Sequence, residues 1–373
     1  MSVGATATEV AVIGGGIAGC CAAFHLAARG VPVVVFEKGA FGVGASGVNF
    51  GGVRSQGRDL AEMPLSRRSR ELWSRLPELI GTDAEFTVSG HLKLAYSDAD
   101  MVFLEGYAER AREHGLELEL IGRNRVRELH PWLGEEVVGA SLCVDDGHAN
   151  PRLVAPAFAA AARRLGADMR DFTRVTAIER DGDGFLMKTQ QGAARARWLV
   201  NAAGAWGARI AEQFGEPVPL EPIAPNCMVT EPLPAFMDRS IGICGGGVAL
   251  RQTAQGSVVI GGGESDVDMG KERARPLAAV CQTVLARAVR AAPRLAEAQV
   301  LRAWAGVEGD MADHIPCLGP SATAPGLVHA FGFSQHGFQL GPAVGEVVAD
   351  LVTKGAPRVD IAGLSIWRFA AAA

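Results

Sequence analysis

Residues 9–37 read EVAVIGGGIAGCCAAFHLAARGVPVVVFE, and this stretch decides the fold. An apolar run ends in three glycines, a segment of small residues follows, and a second apolar run ends in the acid Glu37. Short apolar runs bounded by glycine are typical of buried parallel strands, and the small-residue segment is typical of a helix packed against them. The stretch therefore predicts a β-α-β unit.

Three glycines of this unit have the Gly-x-Gly-x-x-Gly spacing of a dinucleotide-binding turn. Gly14 would permit the tight turn, Gly16 would let a pyrophosphate approach the backbone, and Gly19 would let the helix pack closely on the strand. Glu37 follows at the distance where an acid accepts hydrogen bonds from a ribose. The unit predicts a dinucleotide ligand, with NAD and FAD equally open on these residues alone.

The composition indicates an α/β enzyme that is rich in turns. The chain has 373 residues, of which 48% are hydrophobic and 47 are glycine, and this length favours two domains. The formal net charge is −5 and the basic residues are scattered, which is not the charge pattern of a nucleic-acid-binding protein. We therefore expect no nucleic-acid partner.

The seven cysteines indicate neither a metal site nor a disulfide framework, because their number is odd and no two have Cys-x-x-Cys spacing. Such a set fits a reducing cytoplasm, which is the expected location. Residues 10–36 could resemble a signal peptide or membrane anchor, but no Lys or Arg precedes them, and glycine turns, His25 and Arg29 interrupt them. We expect no transmembrane segment and no metal.

Apolar spacing and turn residues predict the remaining elements. Helices are expected over residues 62–79, 98–114 with Asp98 as the cap, 151–165 and 276–291, and one more is expected to open at Pro342. Residues 86–96 have strand character, and the alternating runs between 216 and 318 predict antiparallel sheet. Residues 39–54 are mostly glycine and small polar residues, which predicts a ligand-binding nest of backbone donors.

These elements predict two domains. The first is expected to comprise residues 1–85, 145–215 and 319–373, and the second residues 86–144 and 216–318. The predicted fold class is α/β, with a Rossmann-like dinucleotide-binding domain and a discontinuous α+β domain on an antiparallel sheet that binds the substrate.

Four motifs, in order and covering essentially the whole chain, resemble the FAD-dependent D-amino-acid oxidase superfamily, which includes glycine oxidase, sarcosine oxidase and D-amino-acid dehydrogenases. They are Gly14-x-Gly16-x-x-Gly19 with Glu37, the loop from Gly44-Ala-Ser-Gly47 to Gly52-Val-Arg54, Asn201-Ala-Ala-Gly204-Ala-Trp206, and Gly332-Phe-Ser-x-His336-Gly337-Phe338. Within the superfamily, Asn49-Phe-Gly-Gly-Val-Arg54, Trp304-Ala-Gly306, Glu308-Gly309 and Phe338-Gln339-Leu-Gly-Pro342 are most similar to opine oxidase, hydroxyproline dehydrogenase and sarcosine oxidase beta subunits. Some of these relatives work in heteromeric complexes.

The resemblance implies that FAD is the cofactor. The three glycines would hold its pyrophosphate at a helix N-terminus, Glu37 would bind the adenosine ribose, and the backbone of Val175 would line the adenine. Ser46 and Asn49 would add side-chain hydrogen bonds around a phosphate or a polar ring edge. The turn over residues 332–340, with a helix dipole behind it, would stabilise negative charge at flavin N1/C2=O when hydride reaches N5.

The full set of cofactor-binding residues that the resemblance implies is Gly14, Gly16, Ile17, Ala18, Gly19, Glu37, Lys38, Ala45, Ser46, Asn49, Gly51, Gly52, Val175, Ala203, Gly204, Trp206, Gly306, Gly332, Gln335, His336, Gly337, Phe338 and Gln339.

The residues expected to bind the substrate differ from those of glycine-oxidase-like relatives. Those relatives clamp a substrate carboxylate with two arginines, at positions that correspond here to Glu308 and Gln335. The clamp must then come from Arg54, Arg251 or Arg302, with Arg54 ranked first because it matches a flavin-proximal arginine of sarcosine-oxidase-like sequences. Otherwise the substrate carries a cationic group that Glu308 can meet. A turn acid facing solvent is an equally open interpretation of Glu308.

Two further residues bear on the chemistry. His336 is predicted as a turn residue rather than a base. Lys271 is the only lysine between residues 216 and 320, so an oxygen-activating lysine like that of monomeric sarcosine oxidases has no obvious counterpart, which favours a dehydrogenase over an oxidase. The catalytic candidates are Arg54, Arg251, Glu308, Gln335 and His336.

Three functions follow as hypotheses. The first is FAD-dependent oxidation of the C–N bond of a D-amino acid or secondary amino acid, with a small amino or imino acid as substrate and an imine product that hydrolyses. The second is oxidation of a 2-hydroxy acid, for which His336 would be the base. The third is an FAD-carrying subunit of a heteromeric oxidase that is inactive alone. A homo-oligomer and a complex with a partner subunit are both open.

Overall fold

The computed structural model describes residues 6–372. Its α-helices are α1 (Ile17–Ala27), α2 (Ala45–Val48), α3 (Met63–Trp73), α4 (Leu76–Ile80), α5 (Asp98–Glu113), α6 (Arg123–Leu129), α7 (Pro151–Arg164), α8 (Gly207–Gln213), α9 (Ala278–Ala291) and α10 (Gly337–Lys354). Short 3₁₀ turns span Leu60–Glu62, Gly204–Trp206, Pro293–Glu297, Ala362–Leu364 and Ile366–Ala372.

The strands of the described chain are β1 (Thr6–Ile13), β2 (Val33–Phe36), β3 (Gly52–Val53), β4 (His91–Ala95), β5 (Glu119–Gly122), β6 (Gly139–Cys143), β7 (Gly147–His148), β8 (Asp168–Arg170), β9 (Val175–Asp181), β10 (Gly184–Thr189), β11 (Gly192–Asn201), β12 (Leu220–Ile223), β13 (Pro225–Pro232), β14 (Ser240–Ile243), β15 (Ala249–Gln252), β16 (Ser257–Glu264), β17 (Asp266–Asp268), β18 (Arg273–Arg275), β19 (Val300–Ala305), β20 (Glu308–Met311), β21 (Cys317–Pro320) and β22 (Leu327–Phe331).

The first sheet is built around the β-α-β unit that the sequence predicts. Its strand order is β21-β22-β11-β1-β2-β8, and β1 pairs in parallel with both β2 and β11. The β9–β10 hairpin extends the sheet from β11. Every residue of α1 is buried, and this helix shares one apolar core with α7 and α10. The expected Rossmann-like α/β layer is therefore present.

The second sheet has the order β19-β13-β16-β15-β14-β4-β6-β5 and is antiparallel apart from the β14–β4 pair. Leucines of β4 and apolar residues of β13 and β16 form a separate core with α9. The strands of the two sheets come from the chain ranges that the sequence assigns to two domains, except that β21 starts two residues early, at Cys317. We propose that each sheet with its helices is one domain.

Several predicted elements have different bounds. The helix predicted over 62–79 is divided into α3 and α4, because Pro77 in the first turn of α4 cannot donate the hydrogen bond that would join them. Helix α5 is capped by Ser97 rather than Asp98, since the Ser97 hydroxyl accepts from the Asp100 N–H at 3.1 Å. Of the predicted strand 86–96, only β4 forms, directly after Gly90 in a left-handed conformation (φ 73°).

Helix α10 begins at Gly337, so the expectation that Pro342 opens it is wrong. A proline inside a helix removes one backbone hydrogen bond. Two side chains of α3 form hydrogen bonds with the backbone of α10 at this point: Ser69 Oγ and Trp73 Nε1 donate to the Gln339 carbonyl at 2.5 and 2.8 Å. The Ser69 oxygen also accepts from the N–H that follows the proline, at 3.4 Å. The helix continues through Pro342 because α3 satisfies neighbouring backbone groups.

Two kinds of feature are missing from the part of the chain that the structure describes. No helix within residues 6–372 combines the length and apolar character needed to cross a bilayer. The same residues contain no group of three or more His, Cys, Asp or Glu side chains placed to hold a metal ion.

Candidate active site

A cavity of about 1290 Å³ is lined by residues of both large sheets. Pockets for drug-sized ligands have roughly 300–1,000 Å³, so this cavity can take a larger ligand or two ligands together. Nearly all site residues predicted from the sequence line it. The exceptions are Gly19, Arg251 and Gln339, and the alternative clamp residue Arg302 is also absent from the lining.

The glycines at one end of the cavity have the close approaches that the sequence predicts. Gly14 has φ 107°, and a Cβ there would lie 2.2 Å from the Ala202 carbonyl oxygen. A Cβ on Gly19 would lie 1.9 Å from the Gly14 oxygen, so Gly19 packs the helix onto the turn instead of lining the cavity. Any side chain at either position would push strand, turn and helix apart.

Glu37 and Ser46 fix the shape of this glycine turn. The two carboxylate oxygens of Glu37 accept from the N–H groups of Gly15 at 2.6 Å and Gly39 at 2.7 Å. The Ser46 hydroxyl accepts from the N–H of Ile17, the first residue of α1, at 2.8 Å. Each Glu37 oxygen can accept one more hydrogen bond and the Ser46 hydroxyl can still donate one, which suits a ribose and a phosphate at a helix N-terminus.

The side chain of Asn49 does not have the role expected from the sequence. Its Nδ2 donates to the carbonyls of Ala45 and Ser46 at 3.0 and 2.9 Å, and its Oδ1 accepts from the Gly51 N–H at 2.7 Å. These contacts all lie within the loop. Asn49 therefore shapes the loop that lines the cavity, because its amide is already hydrogen-bonded to the loop backbone.

The turn before α10 holds two residues in a strained conformation. Ser334 and Gln335 have φ of 48° and 67°, which is uncommon for residues other than glycine. The Ser334 hydroxyl accepts from the Met311 N–H at 2.9 Å, and the Gln335 N–H donates to Glu308 at 2.7 Å. Strain of this kind persists only where surrounding contacts impose it, and it is concentrated at functional sites.

Glu308 lines the cavity and is half-buried rather than exposed on the outer surface. Burial raises its pKa to about 7, while the hydrogen bond from the Gln335 N–H and the charge of Arg58 oppose the rise. Its carboxyl group therefore changes protonation state near neutral pH. Such a group can accept a hydrogen bond from an amine or hold a proton.

His336 contacts Glu62, a residue that the sequence patterns did not single out. The ring Nδ1 lies 2.9 Å from a Glu62 carboxylate oxygen. Burial and the charge of Arg58 together lower the pKa of His336 to about 4, although the contact with Glu62 opposes the change. The ring is therefore neutral at pH 7, and Nδ1–H donates to Glu62. Its Nε2 is then unprotonated and has no hydrogen-bond partner among the described residues.

Of the arginines proposed as the clamp, Arg54 lies in the cavity and Arg251 and Arg302 do not. Arg251 is buried behind the loop, where its Nε donates to the Phe50 carbonyl at 2.7 Å. Arg302 is exposed on β19, the edge strand of the second sheet. Arg54 is accompanied by Arg58 and Lys93, two cations that the sequence patterns did not single out either.

Gln339 also belongs to the scaffold rather than to the cavity wall. Its side chain is buried and donates from Nε2 to the Ser66 carbonyl at 2.8 Å. This contact ties α10 to α3. The cavity lining from this turn ends at Phe338.

Comparison with known proteins identifies the family. The family model named DAO, described as FAD-dependent oxidoreductase, matches residues 9–351. The chain belongs to this family. It is 29% identical over 369 residues to glycine oxidase of Geobacillus kaustophilus (strain HTA426), covering 96% of this chain and 97% of that relative. It is 28% identical over 377 residues to one subunit of the opine oxidase of Rhizobium meliloti, covering 97% of each.

A solved structure agrees with this assignment. L-proline dehydrogenase from P. horikoshii superposes with a TM-score of 0.91 and 30% sequence identity, covering 99% of both chains. The resemblance stated from the four motifs is confirmed. This DAO-family protein is an FAD-dependent oxidoreductase.

Several residues that line the cavity have unpaired polar atoms, which fits the binding of FAD. Trp206 Nε1 and both amide atoms of Asn226 are buried, line the cavity and have no hydrogen-bond partner in the described chain. Buried polar groups in native proteins are nearly always satisfied, so unpaired ones that line a cavity indicate a polar ligand. Trp206 is near the glycine turn, and Asn226 pairs with Ala305 beside Gly306. Both residues are therefore able to hydrogen-bond with a polar ligand in the cavity.

An ion-pair cluster lies at the Trp206 end. Lys38 Nζ lies 3.1 Å from the centroid of the Trp206 ring and 3.0 Å from a carboxylate oxygen of Glu272. Arg174, next to Val175, pairs with the same carboxylate at 2.7 Å. The hydrogen bond from Arg174 is the main cause that lowers the pKa of Glu272 to about 2. Glu272 comes from the β17–β18 turn, so the cluster joins that turn to the predicted adenine site.

Of the residues that the sequence patterns did not single out, two in β4 had a recognisable signal. Lys93 and His91 alternate with two buried leucines in β4, which places both polar residues on the opposite face of the strand from the core. Glu62, Arg58 and Asn226 carried no comparable pattern, because their positions in the site depend on which distant segments pack together.

Proposed function

We propose that this protein oxidises the C–N bond of a D-amino acid or a secondary amino acid. FAD, when bound, supplies the acceptor for the hydride that leaves the carbon next to nitrogen. The resulting imine is then hydrolysed by water to a carbonyl compound and an amine. The residues of this chain have to bind the carboxylate, hold the amine and exclude water around the reacting carbon.

One observation carries the proposal: a cationic group and an acidic group line the same chamber. Arg54 has no carboxylate within salt-bridge distance among the described residues, and its Nη1 donates to the Gln56 carbonyl, which leaves Nε and Nη2 for a substrate carboxylate. Glu308 is close enough to Arg58 for the guanidinium to lower its pKa, and it can accept a hydrogen bond from the substrate nitrogen. This pairing suits an amino acid, which carries both groups.

Proton transfer in this chamber is supported by two groups. An amine must lose its proton before its lone pair can assist departure of hydride. His336 Nε2, unprotonated and without a partner in the described chain, can accept a hydrogen bond from the amine, but its pKa of about 4 makes it a poor final acceptor of the proton. Glu308 can take it instead at pH values above about 7.

His336 also supports the second candidate function, oxidation of a 2-hydroxy acid. A hydroxyl group is not acidic enough to lose its proton to water at pH 7, so that reaction needs a positioned base. The neutral Nε2 of His336 meets this requirement. The two candidate functions differ at Glu308, because a hydroxy acid has no amino group with which this carboxylate could pair.

One of the relatives supports a third candidate function. The opine oxidase relative in Rhizobium meliloti is by its name one subunit of that enzyme, and the similarity extends over 97% of both chains. The isolated chain could then carry FAD without turnover. Co-purification with partner chains and absent turnover of the isolated chain would support this function.

The preference for a dehydrogenase over an oxidase loses its basis. It depended on a missing lysine, and Lys271 is indeed exposed and paired with Asp268 at 3.3 Å. Lys93, however, lines the cavity from β4. We therefore propose the oxidation without assigning the electron acceptor.

An anaerobic screen tests the proposal. Purified yellow protein is mixed without oxygen with D-amino acids, N-methyl amino acids, hydroxyprolines, opines and 2-hydroxy acids, and the visible flavin absorbance is followed. Bleaching by an amino acid supports the proposal. Bleaching by 2-hydroxy acids alone would transfer it to the second function, and a colourless protein that takes up no FAD would refute both.

A further inference from the structure

Three cations lie together in the part of the cavity that Glu308 and His336 border. They are Arg54, Arg58 and Lys93, here called the cation cluster. A Cβ built on Gly57 would lie 2.9 Å from both Arg54 Nη1 and Lys93 Nζ, so those two nitrogens are at most twice that distance apart. Arg58 Nε donates to the Arg54 carbonyl at 3.0 Å, which fixes the third cation beside them.

The cluster has no ion-pair partner in direct contact among the described residues, although Glu62 and Asp146 are near enough for their charges to raise the pKa of Arg58. No carboxylate among the described residues forms a salt bridge with any of its three members. The nearby acids are hydrogen-bonded elsewhere: Asp146 accepts from the backbone N–H groups of Ser55 and Gln56 at 2.7 and 3.0 Å. Glu62 accepts from His336. Clustered like charges repel, so the arrangement is expected to be stabilised by an anionic ligand.

Arg58 is the member of the cluster that is shielded most from solvent. Arg58 is 4% exposed, and its Nη1 is buried without a hydrogen-bond partner in the described chain. Burial, assisted by the charge of Arg54, lowers the pKa of both Arg58 and Lys93, Arg58 to about 9. His91 beside them is neutral, because burial and the three cations lower its pKa well below the ordinary value. A buried guanidinium N–H without an acceptor is costly.

The cluster is larger than one carboxylate needs. A single bidentate arginine holds one carboxylate. Arg58 is close to the reacting end, since its charge affects both Glu308 and His336. Lys93 Nζ lies 5.9 Å from the ring centroid of Phe103, a lining residue that is 53% exposed and so marks the mouth of the cavity. The cations therefore extend from the reacting end toward the mouth.

We infer that the substrate is an amino acid with two carboxylates, one held by Arg58 and Arg54 at the reacting end and the other held by Lys93 and Arg54 nearer the mouth. This inference rests on the proposed function for the reaction and goes beyond it in the class of substrate. The second carboxylate is carried either on the nitrogen substituent or on the side chain, and both sources present the same group to Lys93.

A binding experiment tests the inference without turnover. The oxidised holoenzyme is titrated with glutarate or with butyrate, which lacks the second carboxylate, and the change in visible flavin absorbance gives each Kd. We expect glutarate to bind at least about tenfold more tightly, since a charge-assisted hydrogen bond is worth about 1.5–3 kcal/mol. The difference should disappear in Lys93→Met and persist in Lys93→Arg. Lys271→Met, which replaces an exposed lysine outside the cavity, is the matched control.

Turnover with matched substrates identifies where the second carboxylate lies. Iminodiacetate and sarcosine share a secondary amine and differ by a carboxylate on the nitrogen substituent, whereas D-glutamate and D-glutamine differ by a carboxylate on the side chain. In Lys93→Met the KM of the preferred dicarboxylate should rise about 10- to 100-fold, with less than about a threefold change for its partner. The pair that shows this difference reveals the source.

Two results would overturn the inference. Equal Kd values for glutarate and butyrate in the wild-type protein would show that the cluster binds one carboxylate only, and this result needs no variant. An equal loss of kcat with every substrate in Lys93→Met would instead make Lys93 a base or an oxygen-directing group. If glutarate is preferred but no amine bleaches the flavin, the dicarboxylate site stands and the proposed oxidation fails.

Discussion

Replacing Asn226 with leucine should stabilise the FAD-free protein and weaken FAD binding, two effects of opposite sign. Both amide atoms of Asn226 are buried without partners in the described chain, and its side chain lines the cavity. An unsatisfied buried polar group costs about 1–3 kcal/mol, and leucine has nearly the same shape without that cost. The melting temperature of the FAD-free Asn226→Leu protein should therefore rise by about 1–4 °C, since a chain of 373 residues shifts by about 1.3 °C per kcal/mol.

FAD binding to the same variant should be weaker, because the amide would lose its partners on the cofactor. Two hydrogen bonds at about 1 kcal/mol each correspond to a Kd about 30-fold higher. The assay is calorimetric titration of the FAD-free protein, with melting followed by calorimetry in parallel. Asn201→Leu is the matched control, since Asn201 is equally buried but donates to the Gly207 carbonyl at 2.9 Å. That control should lower the melting temperature.

The reasoning would be refuted if Asn226→Leu destabilised the FAD-free protein in the way that Asn201→Leu does. The amide would then be satisfied without the cofactor. An unchanged Kd for FAD would also refute it, since Asn226 would then face a part of the cavity that the cofactor does not reach.

Three further predictions concern the turn, the ion pairs and the buried acid. Gly19→Ala should abolish FAD retention and lower the melting temperature. Gly44→Ala should do neither, because a Cβ on Gly44 would enter open space and its φ is negative. Equal effects of the two substitutions would contradict the packing argument. Glu272→Gln should speed FAD release in stopped-flow measurements, because it removes the ion pairs with Lys38 and Arg174. Added salt should remove the difference in release rate between the variant and the wild type. A difference that persists in salt would mean that the ion pairs do not retain the cofactor. Burial raises the pKa of Glu308 to about 7, so the folded protein binds more protons than the unfolded chain between pH 4.5 and 7. The free energy of unfolding should then fall across that range and fall less in Glu308→Gln; parallel curves would contradict the raised pKa.

The nucleotide-binding part of the fold was predictable because its signals are local. The turn at Gly14 and the packing at Gly19 follow from a short stretch, and the structure has the contacts that they require. The end of the cavity that meets the substrate was only partly predictable. Arg54 was predicted from the family resemblance. Glu62 and its neighbour Arg58 were not predicted, because they meet His336 only through folding, and Glu62 and His336 are 274 residues apart in the sequence.

Local rules failed where distant segments decide the structure. Pro342 was expected to open a helix, since proline is favoured in a first turn. In the structure, Ser69 and Trp73 of α3 satisfy the helix backbone near the proline, and the helix starts five residues earlier. Asn226 lies in the site only because β13 pairs with β19, more than seventy residues further along the chain.

The central claim is that this chain removes hydride from a carbon next to nitrogen and not from a carbinol. The most direct measurement is anaerobic single-turnover reduction of the bound flavin by a D-amino or secondary amino acid and by the 2-hydroxy acid of the same carbon skeleton, at equal concentration. The account predicts complete bleaching by the amino acid and none by the hydroxy acid. Bleaching by the hydroxy acid alone would contradict it.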